Sequence, residues 1–183
     1  YAERRSIYQD IEAINKIDVK AKDFARKTTA AETSFNKLTE PMKAIVYNKT
    51  KLDELLPFAK LMMEIDAIRP TAKDFKEKLS AAQNEFIELL KGYTAPEKPN
   101  TDLDIIKSKL QNEYGKKLDA FIYVVSSAFS IEQRIDALQT KSGEAFITDL
   151  AEVSAAYKNL DPATKRHVSN AKVLTDLVRD YKA

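Results

Sequence analysis

One pattern of residues occurs three times along this chain, and it constrains the fold more than any other feature of the sequence. Each copy is marked by four residues: an aromatic residue, the residues four and seven positions after it, and a second aromatic residue eleven positions after it. These offsets place four side chains on one face of an α-helix. We therefore predict three diverged tandem repeats, each with one such helix, named helix B. The six aromatic rings of the three B helices are expected to be mostly buried. The stripes are Phe24, Thr28, Ala31 and Phe35; Phe75, Leu79, Ala82 and Phe86; and Phe146, Leu150, Val153 and Tyr157.

A second pattern precedes each helix B and indicates the end of another helix, named helix A. Two apolar residues three positions apart enclose an acidic residue and an alanine. The segment between this pattern and helix B varies in length, and it contains Pro70 in the second repeat and Gly143 in the third. Proline and glycine in such a segment indicate a turn between two helices. The three copies of the pattern are Ile11–Ile14, Ile65–Ile68 and Ile135–Leu138.

A third pattern, named helix C, follows helix B in the first and last repeats. Residues Lys43–Leu55 align with Lys165–Leu177. Pro41 and Pro162 stand just upstream of these segments, where proline suits the first turn of a helix. The second repeat departs from the pattern, because a proline-rich loop occupies residues 93–100.

Two asparagines occupy the same position in the helix C pattern, at Asn48 and Asn170. Asparagine is mildly unfavourable inside a helix, because its side chain competes for nearby backbone groups, but it is a good N-cap. We predict that each asparagine ends a short helix and caps the next one; contact with a glycan is the alternative. In the second repeat, the pattern is matched only approximately, by Lys107, Leu110 and Asn112.

Helix C of one repeat runs into helix A of the next with few helix-breaking residues apart from Pro57 and Gly115. We therefore predict an all-α fold of tandem repeats, each resembling a three-helix bundle, joined by shared long helices into an elongated array. Pro57 is expected to kink its helix or to mark a fresh start. The predicted repeats cover residues 1–58, 59–127 and 128–183. The predicted helices span about 3–17, 20–38, 41–69 with a break or kink, 71–92, 102–139, 142–160 and 162–181.

The composition narrows the classes of function. Only three glycines are present, which argues against a sheet with many tight turns, and the absence of cysteine excludes disulfides and thiolate chemistry. The 30 basic and 28 acidic residues leave a net charge of +2, without the basic excess typical of nucleic-acid binding. No apolar run reaches the roughly 18 residues of a membrane span, so we predict no membrane insertion. Because the chain starts at Tyr1 without a signal peptide, we interpret it as an internal fragment of a larger protein.

The segments Phe35–Leu52 and Tyr157–Leu174 share an aromatic-x-x-Leu, a turn, and then a lysine followed by valine and asparagine at the same spacing. This pattern resembles the helical repeats of large Gram-positive cell-surface proteins, including S-layer-associated and wall-anchored ones. The resemblance covers about two thirds of the chain and is weakest between Tyr93 and Gly115. It implies an extracellular location at the cell surface or cell wall and a spacer or adhesive role. It carries over no catalytic residue.

Few residues in the sequence are candidates for catalysis or metal binding. His167 is the only histidine, which excludes a histidine triad or a multi-histidine metal site, and we expect it at the surface. The acidic pairs Asp149 with Glu152 and Asp53 with Glu54 are expected on a solvated helix face, because paired acids for glycoside hydrolysis need a cleft. We predict no catalytic, cofactor-binding or metal-binding residue, no cofactor, and a protein that is not an enzyme.

The apolar run Phe121–Val125 is unusual for a helix. We expect this helix to be buried on most sides. The alternative is a dimer or ligand contact through an exposed part of the run.

Two hypotheses for function remain. The first is a non-catalytic structural, spacer or adhesive segment of a bacterial cell-surface protein, monomeric as a fragment, with a cell-wall polymer or another surface protein as its partner. The second is a carbohydrate-binding module that docks a cell-wall polymer. Such a module needs exposed aromatic residues beside basic ones, and the candidates are Tyr8 near Arg4 and Arg5, and Tyr181 near Arg179.

Overall fold

The structure, a computed structural model, describes the backbone of residues 2–182 and the side chains of residues 6–182. Within that range the chain forms helices and no strand, which confirms the predicted all-α class. The elements are α1 (Ala2–Asn15), α2 (Phe24–Lys37), α3 (Glu40–Lys43), α4 (Lys49–Ala67), α5 (Phe75–Leu89), α6 (Asp102–Lys109), a π-helical turn (Leu110–Tyr114), α7 (Gly115–Leu138), α8 (Gly143–Asn159), α9 (Pro162–Arg166) and α10 (Ala171–Lys182).

Two predicted helices are each divided by a short non-helical link. The break expected within 41–69 occurs at residues 44–48, between α3 and α4. The span 162–181 is divided at residues 167–170, between α9 and α10, where a helix boundary was predicted at Asn170. Each link buries one valine, Val46 in the first repeat and Val168 in the third. Burial of this side chain offsets part of the cost of interrupting the helical hydrogen bonds.

Helix α2 begins four residues later than the sequence predicts. The carboxylate of Asp18 accepts a hydrogen bond from the backbone N–H of Lys20 at 2.9 Å. A side chain that bonds its own backbone two residues on forms a turn that competes with helix. The chain therefore turns after α1 and enters α2 only at Phe24.

Helix α4 passes through Pro57 without a break, so the fresh start considered for this position does not occur. A proline inside a helix leaves unpaired the carbonyl group four residues earlier, here that of Asp53. Both Pro57 and Asp53 are exposed, so water can bond this carbonyl group. The cost of the proline is reduced because it lies on the solvent face.

The chain forms two compact units. Unit 1 contains the residues up to Ile68 and Ser80–Leu118, and unit 2 contains Arg69–Leu79 and the residues from Asp119 onward. In unit 1, α2 packs against α1 and α4, and α4 also packs against α6 and the π-helical turn. In unit 2, the core consists of Ala128, Ile131, Ile135, Leu138, Leu150, Val153, Val168 and Leu174.

The stripe predicted for helix B lies on the buried face of α2, α5 and α8. The second and third stripe residues are buried in all three helices, and Phe24 and Phe75 are fully buried. The other four rings are half-buried, which is less than expected, and none is exposed; they are Phe35, Phe86, Phe146 and Tyr157.

Lysines of the helix C pattern cover two of these half-buried rings. The ammonium group of Lys43 lies 5.7 Å from the ring centre of Phe35, and that of the aligned Lys165 lies 5.9 Å from the ring centre of Tyr157. A cation over an aromatic face is attracted to it. The first and third repeats therefore close the end of the stripe in the same way.

Thr28 is the one polar residue among the inner stripe positions, where the other repeats have Leu79 and Leu150. Its side chain is buried, and within the described residues its hydroxyl oxygen has no hydrogen-bond partner. A buried hydroxyl that lacks a partner loses its hydration without compensation.

Replacing Thr28 with valine, which has the same shape, is therefore expected to raise the free energy of unfolding by about 1 kcal/mol, measured by urea denaturation. Thr29→Val is the matched control, because the Thr29 hydroxyl donates to the carbonyl oxygen of Ala25 at 2.9 Å. A Thr28→Val variant that is no more stable than Thr29→Val would contradict this interpretation of the buried hydroxyl.

Candidate functional site: polar tethers and helix grooves

In the third repeat, the side chain of Asn170 joins the start of α10 to the last turns of α7. Its Nδ2 donates to the carbonyl oxygen of Glu132 at 2.9 Å and to Oδ1 of Asp136 at 2.8 Å. The backbone N–H of Ser169 donates to Oε1 of Glu132 at 2.6 Å. Burial acts to raise the pKa of Glu132, but the hydrogen bonds from Ser169 together with the positive charge of Lys76 hold this pKa below its ordinary value. The contact therefore favours the ionised carboxylate.

In the first repeat, Asn48 makes the corresponding contact with the end of α1. Its Nδ2 donates to the carbonyl oxygens of Asn15 at 3.1 Å and Ile14 at 3.4 Å. Its backbone N–H donates to Oδ1 of Asn15 at 3.2 Å. The last carbonyl groups of a helix lack partners within that helix, so the Asn48 amide supplies hydrogen bonds that α1 cannot supply itself.

The second repeat makes this connection with different side chains. The hydroxyl of Tyr114, in the π-helical turn, donates to Oδ2 of Asp66 at 3.1 Å, and Lys117 forms an ion pair with the same carboxylate. The Lys117 ammonium also lies 4.4 Å from the ring centre of Tyr114. Burial and the negative charge of Asp66 raise the pKa of Tyr114, so the phenol remains a donor. Asn112 lies in the same turn with its side chain exposed, and it does not take the place of Asn48.

We name these contacts the A–C tethers, because each joins the end of helix A to the beginning of helix C. The tether donors are Asn48, Asn170, and Tyr114 with Lys117. The acceptors are backbone carbonyl groups near the end of helix A or the acid of its sequence pattern. Sequence analysis missed Tyr114, although the acid at Asp66 was a signal that helix A presents an acceptor there.

The capping role predicted for the two asparagines is only half correct. Both lie at helix boundaries, as expected. The side chain of Asn48 makes no capping bond to α4, and the side-chain oxygen of Asn170 is buried without a partner among the described residues. The amide nitrogen, not the oxygen, does the bonding, and it bonds to another helix.

His167 is half-buried, so its predicted position at the surface is wrong. Its Nε2 donates to the carbonyl oxygen of Pro70, and its ring centre lies 4.8 Å from that of Phe75. Both partners precede or begin α5, far away in the sequence. This histidine therefore connects the α9–α10 link to the start of α5 within unit 2.

The acidic pairs singled out in the sequence lie on solvated helix faces, where most of their members form ion pairs. These ion pairs are Lys141 with Asp149, Arg134 with Glu152 at 3.8 Å, and Lys49 with Asp53. A different acidic pair, Glu64 and Glu85, brings two carboxyl groups together in unit 1. Partial burial and the negative charge of Glu64 raise the pKa of Glu85.

The apolar run Phe121–Val125 is not buried on most sides, so that prediction is wrong. Tyr123 is exposed, and Phe121, Val124 and Val125 are half-buried. The ring of Phe121 packs edge-on against Phe75 at 5.9 Å between ring centres. The exposed Tyr123 leaves open the alternative of a contact through this side of α7.

Exposed tyrosines occur at several places in the described chain. Tyr8 and Tyr47 expose 66% and 79% of their surface. Tyr181 is exposed as well, but the neighbouring Arg179 forms ion pairs with acidic residues on its own helix. The side chains of residues 4 and 5, expected beside Tyr8, lie outside the described residues.

Two grooves between helices are large enough to hold part of a ligand. The groove between α1 and α2 has a volume of about 620 Å³, and charged residues of both signs line it together with Phe24 and Thr28. The groove between α8 and α10 has a volume of about 360 Å³ and is mainly apolar. In the described part of the chain, no three His, Cys, Asp or Glu side chains lie close enough to hold a metal ion.

Comparisons with known proteins give no assignment. No family model matches the sequence, and no curated protein or solved structure is significantly similar to it. Among the described helices, none combines the length and the apolar character needed to span a membrane.

Proposed function

We propose that this chain is a non-catalytic structural segment, a spacer or adhesive stalk, of a larger bacterial cell-surface protein. The observation that supports the proposal best is the continuity of its helices. Helix α4 contains helix C residues of the first repeat, such as Leu52, and the Ile65 that opens the helix A pattern of the second. The helical segment over 102–138 likewise joins the second repeat to the third without a loop.

Such joints suit a spacer, because a shared helix transmits force from one repeat to the next through its own hydrogen bonds. The A–C tethers add cross-links inside each repeat that do not depend on the apolar core. The proposed arrangement is a row of three small bundles, covering residues 1–58, 59–127 and 128–183, in an elongated array. The resemblance to Gram-positive surface repeats supports the proposed extracellular location.

The spacer proposal predicts a radius of gyration clearly above the value for a compact chain of 183 residues, which is about 16 Å. Small-angle X-ray scattering measures this quantity directly. A concentration series serves as the control, because self-association also raises the apparent radius. A concentration-independent radius near 16 Å would mean that the repeats fold back on one another, and the spacer proposal would fail.

A carbohydrate-binding module is the second candidate, and the exposed tyrosines Tyr8 and Tyr47 favour it. Both rings belong to unit 1. Exposed aromatic faces suit the apolar faces of a sugar chain.

Co-sedimentation with purified Gram-positive cell-wall sacculi separates the two candidates. A chain that acts only as a spacer is expected to stay in the supernatant. Retention that is lost in Tyr47→Ala, but kept in a Tyr123→Ala control at another exposed tyrosine, would instead support carbohydrate binding.

A further inference from the structure

The groove between α8 and α10 is lined mainly by apolar residues, and the only charged residues in its lining are lysines. Its apolar lining consists of Ile147, Leu150, Ala151, Ala155, Val178 and Tyr181. Lys158 and Lys182 line it as well, and no acidic residue does. Among the described residues, neither lysine forms an ion pair. The groove therefore combines exposed apolar surface with two uncompensated positive charges.

The first repeat contains the same pair of helices in a closed form. Repeats 1 and 3 align without a gap from helix B through helix C, so Lys182 corresponds to Lys60, and Ser154 corresponds to Glu32. In the first repeat, Nζ of Lys60 lies 3.0 Å from Oε1 of Glu32, and this ion pair joins α2 to α4. The third repeat has the lysine of this pair but not the carboxylate.

Apolar positions of the groove show the same difference between the two repeats. Tyr181 exposes 54% of its surface, whereas Ala59 at the aligned position is fully buried. Ile147 exposes 41%, whereas the aligned Ala25 is buried. Large apolar side chains thus stand exposed in the third repeat where small buried ones stand in the first. Exposed apolar groups gathered in one groove are typical of an interaction site.

We propose that this groove binds an acidic amphipathic helix of a partner protein. The partner's aliphatic side chains would cover Ile147 and Tyr181, and one of its carboxylates would take the place that Glu32 has in the first repeat. Charge complementarity selects this occupant, because the groove presents lysines without acids. Docking of a helix through one apolar face is a common mode of recognition.

The dimensions of the groove set the length of the partner helix. The lining residues of α8 run from Ile147 to Lys158, eleven residues later, which corresponds to about 16 Å of helix. A helix of three turns covers this length. Its apolar residues would recur every three or four positions, with acidic residues beside them. The inference goes beyond the proposed spacer function and does not depend on it.

Fluorescence anisotropy with the whole chain and a labelled synthetic helix tests the proposal. The probe is an amphipathic peptide of about four turns with leucines on one face and glutamates beside them, and the matched peptide has lysines in place of the glutamates. We expect the glutamate peptide to bind and the lysine peptide to bind at least about tenfold more weakly, which corresponds to about 1.4 kcal/mol. No binding of the glutamate peptide, or equal binding of both peptides, would overturn the proposal.

Ser154→Glu is the decisive variant, because it restores in the third repeat the acid that pairs with lysine in the first. The new carboxylate is expected to pair with Lys182 and weaken peptide binding about tenfold, while Ser154→Gln, of similar size but uncharged, has a smaller effect. Lys182→Glu should weaken binding by a similar factor, and Lys116→Glu, a charge reversal elsewhere, should not. Circular dichroism verifies that each variant is folded.

Equal loss of binding in Ser154→Glu and Ser154→Gln would assign the effect to size and contradict the role of charge. Sedimentation of the chain alone tests one other occupant. A dimer that Ser154→Glu converts to a monomer would identify a second copy of this chain in the groove, and the assignment to a partner helix would be wrong.

Discussion

The A–C tethers are the contacts on which the arrangement within each repeat depends. An apolar stripe brings helices together but leaves them free to slide and rotate, because the hydrophobic effect has no direction. A hydrogen bond from Asn48 to the last carbonyl groups of α1 has a direction, so it fixes where helix C begins relative to the end of helix A. Asn170 does the same for α7 and α10. Asn48 and Asn170 thus each add a directional contact to packing that is otherwise non-directional.

In the second repeat, different residues make the tether at the equivalent position. Here the acceptor is Asp66, and the donors are Tyr114 and Lys117 on a π-helical turn. A π-helical turn contains an extra residue compared with an α-helical one. This repeat also has a longer spacing after Leu110 in the sequence than the other two. The π-helical turn absorbs part of that extra length and keeps the helix continuous, so that the connection to the third repeat is a helix and not a loop.

Sequence periodicity predicted the elements whose structure depends on one helix face. The stripes of helix B and the turns at Pro70 and Gly143 belong to this group, because their causes lie within a few residues of one another. The partners of His167 and Asn170 could not be predicted, because they depend on contacts between segments far apart in the sequence. The same limit applies to the groove between α8 and α10. Lys60 forms an ion pair with another helix and the aligned Lys182 does not, and the sequence alone does not show such contacts between helices. The prediction that Phe121–Val125 is buried on most sides was wrong for a related reason, because apolar composition alone does not show which sides of a helix have neighbours.

The central claim is that tethers at equivalent positions stabilise the packing of helix C on helix A, and three asparagine variants test it most directly. Urea denaturation of Asn48→Ala and Asn170→Ala is expected to show a free energy of unfolding lower by about 1–2 kcal/mol in each, because each loses hydrogen bonds between two helices. Asn112→Ala removes the exposed side chain at the approximately corresponding position of the second repeat. This substitution is expected to leave the free energy of unfolding unchanged or slightly raised. Equal effects of all three substitutions, or no effect of Asn48→Ala and Asn170→Ala, would contradict the account.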